Sequence, residues 1–130
     1  MSIPSDRSFT KEHEWARVEG ERVRVGITDY AQGQLGAVVY LDFTSIGTAV
    51  EAGDVLAEIE STKAVSEVYA PVAGTVVEVN ASLVDHPEYV NDEPYDKGWI
   101  ALLEAPGASL DHLLEPAAYQ ERLDEEEGKS

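Results

Sequence analysis

Between Gly47 and Asn80 the chain repeats one short pattern, a run rich in β-branched residues closed by a glycine or proline turn. Such a repeat constrains the fold strongly, because runs this short and this regularly punctuated can bury their apolar residues only as stacked antiparallel strands. Val55-Leu56-Ala57-Glu58-Ile59-Glu60 reads as one strand and Ala64-Val65-Ser66-Glu67-Val68-Tyr69 as the next, with Ser61-Thr62-Lys63 between them. A connection of that length makes a hairpin, so Thr62 and Lys63 are expected at its tip, facing water. Gly47 to Asp54 ahead of the hairpin and Ala70 to Asn80 behind it each supply a further turn and strand. Most lysines at turn tips serve solubility or protect a sheet edge, so the tip alone leaves its role open.

The rest of the chain frames this hairpin. Met1 to Arg7 reads as a flexible lead-in, and Phe9 to Val18 opens the fold with Trp15 as an aromatic anchor. Glu19-Gly20-Glu21 turns the chain into Arg22-Val23-Arg24-Val25-Gly26-Ile27, whose alternation predicts a half-buried strand. Thr28 is placed to cap a helix over Asp29 to Leu35, with Asp29 matching the helix dipole and Gly36 free to stop it in a left-handed conformation. Ala37 to Phe43 is apolar on nearly both faces, which predicts a strand through the centre of a sandwich. Beyond Asn80, a polar stretch suggests a helical turn around Pro87 to Val90, a turn-rich loop runs to Gly98, and Trp99 to Glu104 forms a last strand. Leu110, Leu113 and Leu114 at helical spacing predict one C-terminal helix, and Pro116 starts a second with Tyr119 and Leu123 on one face. Residues 124–130 read as an acidic mobile tail. The 130 residues fit a single domain, 1–130.

Charge narrows the partners. Nine basic residues against 26 acidic ones give a net charge of -17, which repels nucleic acid and anionic lipid and favours basic protein surfaces. No run approaches the length of a membrane span, and no secretory or transit leader is evident, so a bacterial cytoplasmic protein is expected. Without cysteine, any sulfur redox chemistry must arrive on a cofactor. His13, His86 and His112 lack the spacing of a metal motif, and no Ser-His-Asp arrangement is recognisable. Trp15, Trp99 and Tyr40 read as core aromatics.

The pattern strand, turn, strand, Glu60-Ser61-Thr62-Lys63-Ala64, strand, Ala70-Pro71-Val72-Ala73-Gly74-Thr75-Val76, strand resembles the lipoyl and biotinyl carrier domains. Biotinyl domains usually flank their lysine with methionine, whereas Thr62 and Ala64 stand here and Met1 is the only methionine, which favours lipoyl. Lys11-Glu12-His13-Glu14-Trp15, Gly26 to Gln32, Leu35-Gly36, Val90-Asn91 with Pro94-Tyr95, and Gly98-Trp99 are similar to the H protein family of the glycine cleavage system, over roughly Phe9 to Leu123. Departures from the family's pattern, Thr62 for valine, Asp42 to Ser45, and Asp96-Lys97, affect loop geometry more than the lysine tip.

That resemblance implies a mainly β fold, a barrel-sandwich hybrid of two antiparallel sheets with a short internal helix and C-terminal helices. It implies a non-catalytic carrier with lipoic acid in amide linkage to Lys63. The arm would take the aminomethyl group of glycine from a pyridoxal-phosphate glycine decarboxylase to a folate-dependent aminomethyltransferase, and electrons to dihydrolipoyl dehydrogenase. A lipoate ligase or an octanoyl or lipoyl transferase would load it. Glu12, Glu14 and Glu67 are candidates to line a cleft that shelters the aminomethyl amine, and Glu14→Ala is expected to shorten the lifetime of the loaded arm. Two alternatives stand beside this reading: a lipoyl relay supplying 2-oxo acid dehydrogenases, and an unmodified interaction module with an acidic surface.

Overall fold

In a computed structural model of the chain, which describes residues 3–126, the strands gather into two antiparallel sheets. The larger has six strands in the order β1 (Ser8–Phe9), β2 (Glu14–Glu19), β3 (Arg22–Ile27), β9 (Ala101–Glu104), β8 (Gly74–Val79), β5 (Ala49–Val50). The smaller has three, β4 (Val38–Phe43), β6 (Val55–Ser61) and β7 (Val65–Tyr69), with β6 in the middle. Val23, Val25 and Ile27 of β3 face the buried core, the outcome their alternation predicts, and Leu56, Ala57 and Ile59 of β6 join the same core, with a register shift between Val55 and Ala57. The register sets Arg17 opposite Arg24, a repulsive pair by itself. Glu19 accepts hydrogen bonds from both guanidinium groups, and those bonds hold its carboxyl down at about 2.

Of the helices, α1 (Asp29–Leu35) packs with α3 (Tyr89–Asp92), α2 (Ser82–Asp85) with β4, and α4 (Pro116–Glu126) with β1. The Thr28 hydroxyl accepts from the Ala31 N–H at 3.2 Å, the cap expected of it. Gly36 follows with φ 81 and ψ -165, a positive φ as expected but outside the left-handed helical region. A second core sits under α4, where Phe9 stacks on Tyr119 with ring centroids 4.6 Å apart and Trp15 and Leu123 complete the buried cluster. Trp15 lies flat against Gly26, where a Cβ would fall 2.6 Å from the indole ring, so that close approach requires glycine.

Several expectations are corrected. The 37–43 strand is an edge of the smaller sheet, not its centre. Its register shifts between Val38 and Tyr40, so Val39 and Tyr40 both point outward, 49% and 57% exposed, and only Val38 and Leu41 are buried. Tyr40 is therefore no core aromatic, whereas Trp15 is fully buried and Trp99 packs against the second cluster. The stretch containing Leu110, Leu113 and Leu114 is not a helix. Phe9 and Leu114 exchange backbone hydrogen bonds of 2.8 Å each, and the residues before Leu114 form a turn closed by the Leu113 N–H donating to the Leu110 carbonyl at 2.9 Å. A single C-terminal helix remains, and because it reaches Glu126, the first part of the expected acidic tail is helical; residues 127–130 lie outside the described residues. Nor is the whole lead-in free: Arg7 donates to the Tyr95 carbonyl at 2.9 Å and stacks 4.5 Å from the Trp15 ring. Residues 1 and 2 lie outside the description. The helical turn expected around Pro87 to Val90 is α3, shifted to Tyr89–Asp92, α2 precedes it unforeseen, and the last strand starts at Ala101.

Candidate functional site

The hairpin of β6 and β7 ends in a tip pegged from both sides. Ser61 Oγ accepts the N–H groups of Lys63 and Ala64 at 3.2 and 3.1 Å, as a short polar side chain at the start of a turn can do. The Ser61 N–H donates to the Ala64 carbonyl at 2.8 Å, and the Thr62 N–H to the Ala37 carbonyl at 3.0 Å. Lys63 itself is exposed, and its ammonium has no hydrogen-bond or ion-pair partner among the described residues. Its aliphatic stem passes over Gly36, where a Cβ would sit 3.1 Å from Lys63 Cε.

That glycine is held from below by a residue whose role the sequence did not reveal. Asn91 donates to the Gly36 carbonyl at 2.8 Å and to Gln32 Oε1 at 3.0 Å, and accepts the Val38 N–H at 2.9 Å. One amide thus joins α1, the 36–37 turn and β4 beneath the lysine stem. The expected similarity had included Val90-Asn91, but contacts spanning more than 50 positions leave no local pattern from which this function could be read.

Beside the tip, a groove of about 300 Å³ runs along β7 from Ala64 to Val68. Ile27, Leu35 and Ile59 contribute apolar lining, and Glu12, His13, Glu14, Ser66 and Glu67 supply polar groups. All three glutamates singled out from the sequence therefore meet in one place. They differ in environment: Glu12 and Glu67 are exposed, whereas Glu14 is only 2% exposed. Glu14 Oε1 accepts the Thr10 hydroxyl at 2.7 Å and Oε2 accepts the Tyr69 N–H at 2.9 Å. Burial pushes the Glu14 carboxyl above its ordinary range, against the opposing effect of those two hydrogen bonds and with a further push from Glu12. Glu67 accepts from the Tyr69 hydroxyl at 3.1 Å.

The histidines are dispersed. His86 pairs with Glu88, His112 Nε2 contacts the Pro71 carbonyl oxygen at 2.9 Å, and His13 lies in the groove wall. Among the described residues no group of three or more His, Cys, Asp or Glu is arranged to hold a metal ion.

A family model described as glycine cleavage H-protein matches residues 7–126. The chain belongs to the glycine cleavage H-protein family. A glycine cleavage system H protein of Thermus thermophilus is 52% identical over 127 residues, spanning 97% of this chain and 99% of the relative. One from Geobacillus kaustophilus is 50% identical over 126 residues, with coverage of 96% and 99%. The crystal structure of a glycine cleavage system H protein from Mycobacterium marinum superposes with a TM-score of 0.82 at 37% identity, over 97% of this chain and 99% of that one. The two-sheet architecture is thus the barrel-sandwich arrangement of H proteins, without a closed barrel. Within this H-protein fold, the tip of β6 and β7 and the groove beside it are the candidate functional site.

Proposed function

We propose that the chain carries lipoic acid as an amide on Lys63 and acts as the aminomethyl carrier of glycine cleavage. The carrier role in that system comes with the family. The observation that supports Lys63 as its attachment point is an ammonium without a partner among the described residues, on a tip pegged by Ser61 and Thr62, next to a groove with an apolar lining and carboxylates. When bound, a lipoyl group supplies a reversible disulfide and a sulfur able to hold a one-carbon unit, chemistry that a chain without cysteine cannot provide.

This chain's residues do the holding. Ser61 and the Thr62–Ala37 bond fix the tip, so an arm on Lys63 swings from a stationary point. Ile27, Leu35 and Ile59 exclude water along part of the groove, and Glu12 and Glu67 stand exposed where a cationic amine would meet them. Glu14 contributes from a buried position, where removing its carboxylate would strand the Thr10 hydroxyl and the Tyr69 N–H. Glu14→Ala therefore mixes loss of charge with local damage, and Glu14→Gln is the cleaner substitution.

The partners on this reading are glycine decarboxylase, the aminomethyltransferase, dihydrolipoyl dehydrogenase, and the ligase or transferase that loads Lys63. The bacterial relatives, and the absence of any helix long and apolar enough to cross a membrane among the described residues, fit a cytoplasmic setting. No observation favours the lipoyl relay. The deciding experiment is the intact mass of the native protein with peptide mapping across Lys63, after growth with lipoate and its attaching enzyme. One lipoyl group on Lys63 is expected; a persistently bare Lys63 would sink the proposal.

A further inference from the structure

His13 has the only positive φ, 70°, outside glycine among the described residues. A residue with a side chain is strained in that region and persists there only when its surroundings over-determine it. Here they do. Its Nδ1 lies 2.8 Å from the Tyr119 hydroxyl and its Nε2 2.9 Å from Glu126 Oε2, so both contacts reach α4. The Tyr119 oxygen is also 2.7 Å from Thr28 Oγ1, which accepts the Ala31 N–H and caps α1.

One proton arrangement satisfies every member. The Ala31 N–H donates to Thr28, the Thr28 hydroxyl to Tyr119, the Tyr119 hydroxyl to His13 Nδ1, and His13 Nε2–H to Glu126. This chain fits a neutral imidazole: a proton on Nδ1 would turn the Tyr119 hydroxyl towards Thr28 and leave the buried Thr28 hydroxyl without an acceptor. The backbone completes the lock: the His13 N–H reaches the Thr10 carbonyl, the Thr10 N–H reaches the Glu14 carbonyl, and the Thr28 N–H reaches the His13 carbonyl. Glu12, His13 and Glu14, which this turn presents, all line the groove beside Lys63.

We propose that His13 is a positioning residue through which the C-terminal helix holds the Glu12–Glu14 wall of the groove, and that it does so only as the neutral imidazole. The inference rests on the reading of that groove as the seat of an arm on Lys63. The helix touches no arm; it sets the groove by fixing the turn that carries the carboxylates. Acid should release the wall. The groups facing the ring are Glu12 on its own turn, Tyr30 on α1, and Tyr119, Arg122 and Glu126 on α4. Burial, with Arg122, outweighs the acidic neighbours and lowers the proton affinity of His13, in keeping with the neutral form. A group whose folded pKa is depressed stabilises the fold above its unfolded value, 6.5 here, and loses that contribution as pH falls below it.

The test uses the full chain, with and without lipoate, as wild type, His13→Gly and Tyr119→Phe. Glycine keeps the positive φ and removes the ring, and phenylalanine keeps the stack on Phe9 and removes the donor. Ring nitrogen NMR of the wild type should show His13 neutral with its proton on Nε2, titrating below the ordinary histidine range, and Tyr119→Phe should move that titration upward. Hydrogen exchange at the amides of Thr10, His13 and Glu14 should rise about tenfold in both variants, as loss of one or two hydrogen bonds implies, while the β6 and β7 amides stay protected. On the lipoylated chain, the reduced thiols should alkylate faster in both variants. Unchanged exchange of those three amides in both variants, or a wild-type His13 protonated on Nδ1, would overturn the inference. Unchanged alkylation despite released amides would overturn its link to the arm. A bare Lys63 would defeat the carrier reading instead, and the exchange measurements would still decide whether α4 holds the wall.

Discussion

Glu14 shows how one side chain can serve both the fold and the groove. Its two oxygens join the Thr10 turn to the end of β7, so the carboxylate closes the groove as well as lining it. Because burial raises its folded pKa above the unfolded 4.5, its protonated form adds stability that is present below pH 4.5 and lost as pH rises through the folded value. Glu14→Gln should therefore gain on the wild type as pH rises above 4.5, and urea unfolding of both proteins at pH 4.5, 5.5 and 7 checks it. An unvarying difference across that range would mean that the carboxyl titrates normally. The sequence picked out Glu14 from a motif, but its burial was not legible there, since burial is decided by Tyr69 and Thr10 closing over it.

Among the elements, the hairpin carrying Lys63 and the capped α1 were the most legible, because their signals are local: β-branched runs on either side of a short turn, and Thr28 three residues before the N–H it accepts. β4 was misread, since an apolar run cannot report a register shift that turns Val39 and Tyr40 to solvent. The Leu110–Leu114 stretch was misread for a related reason: its helical spacing yields to pairing with Phe9, a partner about a hundred positions away. Asn91, between α1, the Gly36 turn and β4, is the joint on which the lysine's surroundings depend. Asn91→Ala should cost about 2 kcal/mol in urea unfolding, because it leaves the Val38 N–H and the Gly36 carbonyl without their partner. The same variant should speed amide exchange at Val38.

For the whole molecule, a charge of -17 is the dominant long-range property. If the acidic surface steers docking, association with glycine decarboxylase should slow by about tenfold as salt rises from roughly 0.01 to 0.15 M, measured by stopped-flow mixing. Salt insensitivity would point to a mainly apolar contact. What the sequence determined by itself was everything written in near neighbours: the alternation that makes the strands, the turn that isolates Lys63, the Thr28 cap, the charge, and the motifs by which the family is recognised. What only the tertiary structure decided was which strand lies at an edge, which glutamate is buried, and how His13, Tyr119 and Glu126 come to share one line of hydrogen bonds. The physical reason is distance along the chain: strand pairing and burial join residues tens of positions apart, and such contacts leave no periodic trace in the order of residues.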